Sequence, residues 1–440
     1  GAGRGTFTFD GRTFAVSGTI LYEALSSGST ASRGSLSSDG MPVSWAANPT
    51  QLIIASGGIV YCLVLATNAL SVVTALSGID IIQIGYSDGF FLALVRNGIG
   101  FYISAPEDGT TWDLGNFSDV SVYAENVLAM IIDHREPWFF GSKRSQPYYN
   151  SGAANTPYVP ISGGFVEEGI IAPFSVTQID NSIFWLGGSA DRGAGIVWRA
   201  NGYTPTRVSN HAIEFAIQSY AVISDAVAYS YQDQGHAFYV LRFPTANVTW
   251  VYDVATQQWH QRASGAQAQN AHTSMAHTYN FGKHLVCNAV TGDLNELSNT
   301  VYTDVGEQII YRVRRAPHVS TEQQWIFHSQ LQVDVEVGLG PIPPLTNPDG
   351  SPRGPRMNLR WSDDGGKTWS NYYPKDCGQS GQYKKRVLWR RLGKSRDRVF
   401  EVSMSDPIPW RIVDAYLLAS GEDTSFKPQE RLVKTLGKIA

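Results

Sequence analysis

Charge is scarce in this chain. Of its 440 residues, 16% are Asp, Glu, Lys or Arg, against roughly one in four in an ordinary domain. Ser, Thr, Asn, Gln and Gly supply the remaining polarity, a balance that suits an all-β protein with many turns. The formal net charge is −4, which gives no global case for nucleic-acid or anionic-membrane binding, since either would call for a strongly basic surface. Local basic patches stay open. Cysteine is nearly absent: Cys62, Cys287 and Cys377 are odd in number, far apart and in no paired metal-type spacing. They read as free thiols, as suits assembly in a reducing cytoplasm. Long apolar runs are missing too, because the longest, IVYCLVLA from residue 59, is far too short to cross a bilayer. The chain opens with GAGRGTF, with neither an initiating Met nor a charged-then-apolar leader, so upstream residues are expected to have been trimmed or processed. Helical periodicity is almost wanting, HAIEFAIQSY from His211 being the one short candidate.

Short strands are abundant. The most informative run is TWVYDVATQQWHQRAS, where Tyr252 and Asp253 close one strand and Trp259 opens the next. Asp253 and Thr256 are expected to hold the turn between them, and Trp250 and Trp259 to pack between neighbouring sheets, as at the rim of a propeller blade. Similar units recur: GTFTFDGRTFAVSGTILYEAL, QLIIASGGIVYCLVLA, IIQIGYSDGFFLALVRNGIGFYISAP and VLAMIIDHREPWFFGSKRSQPYYNSG. Three more follow, SVTQIDNSIFWLGG with GIVWRANGYTPTRVS, AVAYSYQDQGHAFYVLRF with TWVYDVATQQW, and MAHTYNFGKHLVCNAVTGDLNEL. Each is a strand, a turn such as Asp10-Gly11, Asp88-Gly89 or Asp180-Asn181, and a second strand. The spacing of about 40 residues is the size of a four-stranded blade. Residues 1–305 are therefore read as a β-propeller of six or seven blades.

Beyond residue 306 the texture changes. QLQVDVEVGLG alternates, PIPPLTNPDGSPRGP should resist regular structure as a long exposed loop, and RVLWRRL and RVFEVSMS are strands. Residues 306–420 read as a β-sandwich-like domain, and 421–440 as a charged tail that orders on a partner.

Chemistry-bearing patterns are few. Ser362, Asp364, Gly366 and Trp369 fit an Asp box, Ser-x-Asp-x-Gly-x-x-Trp. Asp364 is expected to bond turn amides, Gly366 to take a positive φ and Trp369 to bury beneath the hairpin. Asp boxes are frequent in sialidases, but a sialidase should carry several together with an arginine cluster, and this chain has a single box outside the repeated region. Asp133, His134, Arg135 and Glu136 read as a solvated turn. GGSAD from Gly187 lacks the glycine of a nucleophile elbow and reads as a turn. His272, His277 and His284 lack the companions of a zinc motif. No catalytic residue, metal or cofactor is therefore assigned. Lys384, Lys385, Arg386, Arg390, Arg391, Lys394, Arg396 and Arg398 form a basic run around Trp389. It reads either as a contact for DNA or a neighbouring subunit, centred on Lys384, Lys385, Arg386, Arg390 and Arg391, or as a strand edge guarded against aggregation.

Several stretches together carry a family resemblance: HREPWFFGSKRSQPYYNSG, FVEEGIIAPFSVTQIDNSIFWLGG, GYTPTRVSNHAIEFAI, GHAFYVLRFPTANVTWVYDVATQQWHQRAS, LRWSDDGGKTWSN and RRLGKSRDRVFEVSMSDPIPWRIVDAYL. In this order they resemble the packaged-DNA stabilisation, or tail hub and nozzle, proteins of short-tailed bacteriophages. The resemblance implies a non-enzymatic virion component, assembled in the host cytoplasm and sited at the tail vertex. It further implies a homo-oligomeric ring, expected to be a hexamer, below the portal and its adaptor ring. That ring would retain the packaged genome with a needle or plug, carry tailspikes or fibres, and conduct DNA on infection, with no membrane anchor. A carbohydrate-binding or glycan-hydrolysing propeller is the alternative, motivated by the Asp box and the many Trp and Tyr residues.

Overall fold

The computed structural model describes residues 1–120, 125–154, 156–189, 193–265, 268–421 and 432–435. It divides into two units, Gly1–Ala263 with Asn270–Ser298, and Ser264–Gln269 with Asn299–Ala440.

Among the described residues the first unit is a succession of seven antiparallel sheets of three or more strands. Blade 1 runs from the strand Gly3–Phe9 to the strand Thr30–Ser35, blade 2 from Ser44–Ala47 to Ala69–Val72, and blade 3 from Ile81–Ser87 to Asp108–Asp119. Blade 4 runs from Val127–Asp133 to Tyr158–Pro160, blade 5 from Gly169–Ile170 to Thr204–Arg207, and blade 6 from Val227–Asp233 to Gln258–Gln261. Blade 7 comprises Ser274–Asn280, Lys283–Asn288 and Leu294–Leu297. The seven sheets coincide with the seven sequence units. Their hairpins form where the sequence places residues that tolerate positive φ: Asp10 and Gly11 lie at 46° and 70°, Asp88 and Gly89 at 48° and 85°, Asp180 and Asn181 at 52° and 55°. Two left-handed central residues make the turn whose twist matches the flanking strands.

Each blade is packed on both faces. Phe14 and Leu21 of blade 1 meet Leu52 and Ile54 of blade 2, while the other face of blade 2, with Ile53 and Cys62, meets Phe91 and Ala93 of blade 3. Phe101 then stacks on Phe139 at 4.3 Å, Phe140 meets Trp185 at 5.4 Å, and Phe184 meets Tyr239 at 5.5 Å. Blade 7 closes on blade 1 through side chains. Thr278 Oγ1 donates to Thr8 Oγ1 at 2.7 Å, and Asn280 Nδ2 donates to Gly11 O and Thr13 Oγ1, each at 2.8 Å. The backbones approach so closely that a Cβ on Gly3 would lie 2.4 Å from Asn288 O and from Cys287 Sγ.

The blade-rim reading holds in detail. Asp253 accepts from Ala255 N at 3.0 Å and from Thr256 Oγ1 at 2.7 Å. Trp259 Nε1 reaches Val208 O after blade 5 at 2.9 Å, and Trp250 Nε1 reaches the Tyr220 hydroxyl at 3.0 Å. The expected helix forms over His211–Gln218, its amino end capped by the Asn210 side chain accepting from Ile213 N. One expectation fails: Gly187, Gly188 and Ser189 lie in the strand Ser182–Ser189 and make no turn, because they pair with Gly193–Asn201. Ala190 and Asp191 lie outside the described residues.

The second unit is built around two sheets. One orders Arg312–Arg315, Asp397–Met404, Arg356–Ser362 and Tyr373–Asp376; the other orders Val387–Arg390, Ile326–Val335, Ile412–Gly421 and Leu432–Thr435. Met357, Leu359, Phe400 and Val402 share one core with Leu331, Val333, Trp389, Ala415 and Leu417. The alternation of QLQVDV puts Leu331 and Val333 inward and leaves Gln330 and Gln332 half-exposed, as one buried face requires. The Pro-rich loop is more ordered than its composition suggests. Leu345–Thr346 pairs with Pro352–Arg353, and Arg353 clamps Asp406 with bonds of 2.7 and 2.8 Å. Of the charged tail, Leu432–Thr435 pairs with Ile412–Gly421, and residues 422–431 and 436–440 lie outside the described residues.

Candidate functional site

The Asp box follows the strand Arg356–Ser362, and its hydrogen bonds turn inward. Ser362 Oγ, 1% exposed with its residue, donates to Asp364 Oδ1 at 2.7 Å and accepts from Gly366 N at 2.8 Å. Asp364 accepts from Lys367 N and Thr368 N, each at 2.9 Å, and from Thr368 Oγ1 at 2.7 Å. The backbone bond from Thr368, with the side-chain bonds from Ser362 and Thr368, holds the Asp364 carboxyl well below the usual carboxylate range. Gly365 and Gly366 take φ of 74° and 95°, which an L side chain rarely adopts. With its oxygens engaged by the turn, Asp364 acts as a staple and is poorly suited to proton transfer.

Trp369 meets its expected place in part. It is half-buried, with Arg360 at 4.6 Å and Arg315 at 5.2 Å from its ring centroid. Both guanidinium groups also bond the buried Glu401 carboxylate, Arg360 at 2.5 Å and Arg315 at 2.7 Å. The indole Nε1 donates to Gly366 O at 3.1 Å, so the ring is anchored on its own turn, with Arg360 from the hairpin strand and Arg315 from a neighbouring strand beside it. Asp363, the residue between the motif positions, binds Arg398 through both oxygens at 2.6 and 2.8 Å.

The basic run is therefore not one surface. Arg398 is 2% exposed and lies between Trp361 and Phe400, at 5.1 and 5.7 Å from their rings. Lys384, Lys385 and Arg386 are exposed in a loop, where Lys385 pairs with Asp376 at 2.6 Å and Arg386 donates to Gln332 at 2.5 Å. Trp389 points inward, its Nε1 donating to Tyr373 O at 2.7 Å. Arg390 and Arg391 are exposed. Lys394 Nζ lies 4.5 Å and Arg396 Cζ 5.0 Å from the Trp325 ring centroid. Neither Trp325 nor Phe327 was picked out in the sequence, where they stand some 70 residues from their cations.

The propeller candidates disperse. His134 and Arg135 occupy a hairpin turn with φ of 49° and 68°; His134 bonds Asn181, Arg135 reaches Asp88, and Glu136 accepts from the Tyr203 hydroxyl. His277 and His284 share a bond of 3.0 Å, while His272 bonds Ser274. Among the described residues no three His, Cys, Asp or Glu side chains are grouped to hold a metal. A cavity of about 240 Å³ is lined by inner strands, with Arg4, Thr6, Trp45, Gln83, Tyr229 and His277 in its wall. Arg4 is spent inside the fold, on Met41 O at 2.8 Å, Ser37 O at 3.1 Å and Ser56 Oγ at 2.9 Å. Burial and the adjacent His284 push His277 down to about 4, so it is neutral at pH 7. Nothing in that wall is arranged to grip phosphate.

Two sequence profiles match the chain: "Bacteriophage P22 Gp10, beta-propeller" over residues 1–302 and "Bacteriophage P22 Gp10, beta-sandwich" over residues 311–418. The chain belongs to the bacteriophage P22 Gp10 family. The resemblance read from the sequence, to packaged-DNA stabilisation proteins of short-tailed phages, is borne out, as is the order of propeller and sandwich. The family is one of phage structural proteins. No helix among the described residues is long and apolar enough to cross a membrane. A comparison with curated proteins finds no match. Among solved structures, the Myceliophteria thermophila Cps50 (Swd1) β-propeller domain is 8% identical, covering 67% of this chain and 96% of its own, with a TM-score of 0.44. The N-terminal domain of Nup159 is 10% identical, covering 66% and 87%, with a TM-score of 0.41.

Proposed function

We propose that the protein is the tail hub, or nozzle, of a short-tailed phage. It closes the DNA-filled head below the portal and adaptor ring at the tail vertex, retains the packaged genome and forms its exit channel. Copies assemble in the host cytoplasm as a homo-oligomeric ring, a hexamer, and meet the adaptor, a needle or plug, tailspikes or fibres, and DNA in passage. The observation that carries this reading is the family match to both domains in order along most of the chain. Physical features agree with it. Seven blades, each buried on both faces, make a stiff block with loops on either side, suited to packing around a common axis. The Asp box is occupied by its own turn, which removes the main support for a glycan-binding or hydrolysing propeller. No enzymatic activity or cofactor is assigned.

Complementation tests it. Heads filled in the absence of this protein should lose their DNA to nuclease, and adding the purified chain should restore protection. Filled heads that keep their genome without it would remove the retention role.

A further inference from the structure

We propose that one edge of the sandwich is a nucleic-acid backbone site, in which Arg390, Arg391, Lys394 and Arg396 take phosphates beside Trp325 and Phe327. Register brings these residues together. Lys394 stands opposite Phe327 and Arg390 opposite Gln330, while Arg391 N donates to Ser329 O at 2.9 Å. The cations thus border the extended stretch 325–330, about 17 Å long at roughly 3.3 Å per residue.

Among the described residues no carboxylate pairs with any of the four; Asp397, the acid within the run, bonds His318 at 2.9 Å, and Asp363 serves Arg398. In a chain of net charge −4, four adjacent cations without an ion pair among the described residues are a concentrated exception. Two of them are also held in place. Lys394 and Arg396 share the Trp325 ring, and Lys394 lies 5.8 Å from the centroid of Phe327, itself 40% exposed. Cations positioned by aromatic rings lose less side-chain freedom when an anion arrives. Guarding of an edge strand accounts for Arg390 on Val387–Arg390, but not for two further cations gathered on one tryptophan beyond that strand.

A polyanion of dense, regular charge fits this line best. Duplex DNA carries one charge per roughly 1.7 Å of axis, so about 17 Å presents about ten phosphates, half of them on the facing strand. Four cations match that strand more closely than they match an acidic polypeptide, whose carboxylates alternate in direction. The identity of the polyanion rests on the hub reading above.

The test is anisotropy of a labelled 30-base-pair duplex titrated with the full chain between 50 and 200 mM salt. Four phosphate contacts predict a slope of log K against log salt of about −3.6. Arg390→Gln with Arg391→Gln, and separately Lys394→Gln with Arg396→Gln, should each make it shallower by about 2 while melting stays unchanged. Variants that bind the duplex as tightly and with the same slope as the parent would overturn the proposal. So would poly-glutamate competing as well as DNA at equal charge concentration. Ring formation scored on the same samples separates the two readings: lost DNA binding by the parent with rings present sinks this site alone, and DNA binding without rings sinks the hub.

Discussion

The strand Phe90–Val95 in the propeller has four consecutive residues, Phe91 to Leu94, at 0% exposure, whereas Ile326–Val335 in the sandwich alternates buried and accessible positions along its length. The difference lies in how many faces are covered. A blade is sandwiched by two others and spends apolar residues on both faces. A sandwich sheet covers one face and leaves the other to polar side chains. Both regions use one charged device, a buried carboxylate between two guanidinium groups: Glu23 with Arg12 and Arg33, and Glu401 with Arg315 and Arg360. In blade 1 the side-chain bond from Arg12 lowers the Glu23 carboxyl below its ordinary range. The sandwich also keeps four neighbouring cations, Arg390, Arg391, Lys394 and Arg396, that form no ion pair among the described residues, since Asp397 bonds His318 and Asp363 bonds Arg398.

The sharpest way to break this comparison is to empty each core. Trp185→Ala between blades 4 and 5 and Trp389→Ala in the sandwich remove residues 0% and 3% exposed, and each should cost about 3–5 kcal/mol. In hydrogen exchange, loss of protection from the first should spread to both neighbouring blades, and from the second should stay between residues 310 and 421. Uniform loss from either would mean that the two regions unfold as one.

Acidification gives the next largest effect. His277 in blade 7 and His328 in the sandwich are both pushed down to about 4, chiefly by burial, with His284 and Arg398 as the adjacent charges. A depressed histidine binds its proton more readily in the unfolded chain, so stability is full above about pH 6.5 and falls as pH drops toward 4. For His328, 1% exposed and bonded to Ser395 at 2.8 Å, the loss is on the order of 2–3 kcal/mol. Urea midpoints at pH 7 and pH 5 measure it. His328→Gln should flatten the pH dependence of the sandwich and leave that of the propeller, and His277→Gln the reverse.

The smallest effects concern closure and turn. Gly3→Ala forces a Cβ against Asn288 and Cys287 and should cost about 1–3 kcal/mol, loosening Ser274–Asn280 first. Ser362→Ala removes the inward bonds of the Asp box and should cost about 1 kcal/mol. Denaturant midpoints rank the two, and the reverse order would deny that ring closure is the tighter joint.

Much of this was legible in the sequence because local chemistry decides it. Asp-Gly and Asp-Asn turns announce hairpins wherever they fall, and the Asp253–Thr256 staple is complete within four residues. Blade number was ambiguous because blade 5 carries the additional short strand Thr177–Ile179 and blade 7 has three strands, both departures from a four-stranded unit. The fate of the basic run was not legible at all. Which cation is buried, paired or free is set by Asp363 and Trp325, brought beside Arg398 and Lys394 by sheet pairing across long sequence separations. For Trp369 the local partners, Gly366 O and Arg360, lie within nine residues, whereas Arg315, 54 residues earlier, reaches it only through the fold.

Electron-microscope class averaging of the purified chain, alone and mixed with portal–adaptor complex, tests the central claim most directly. The hub reading predicts sixfold rings with an open central channel, seated on the adaptor. Isolated monomers that ignore the adaptor at micromolar concentration would contradict it.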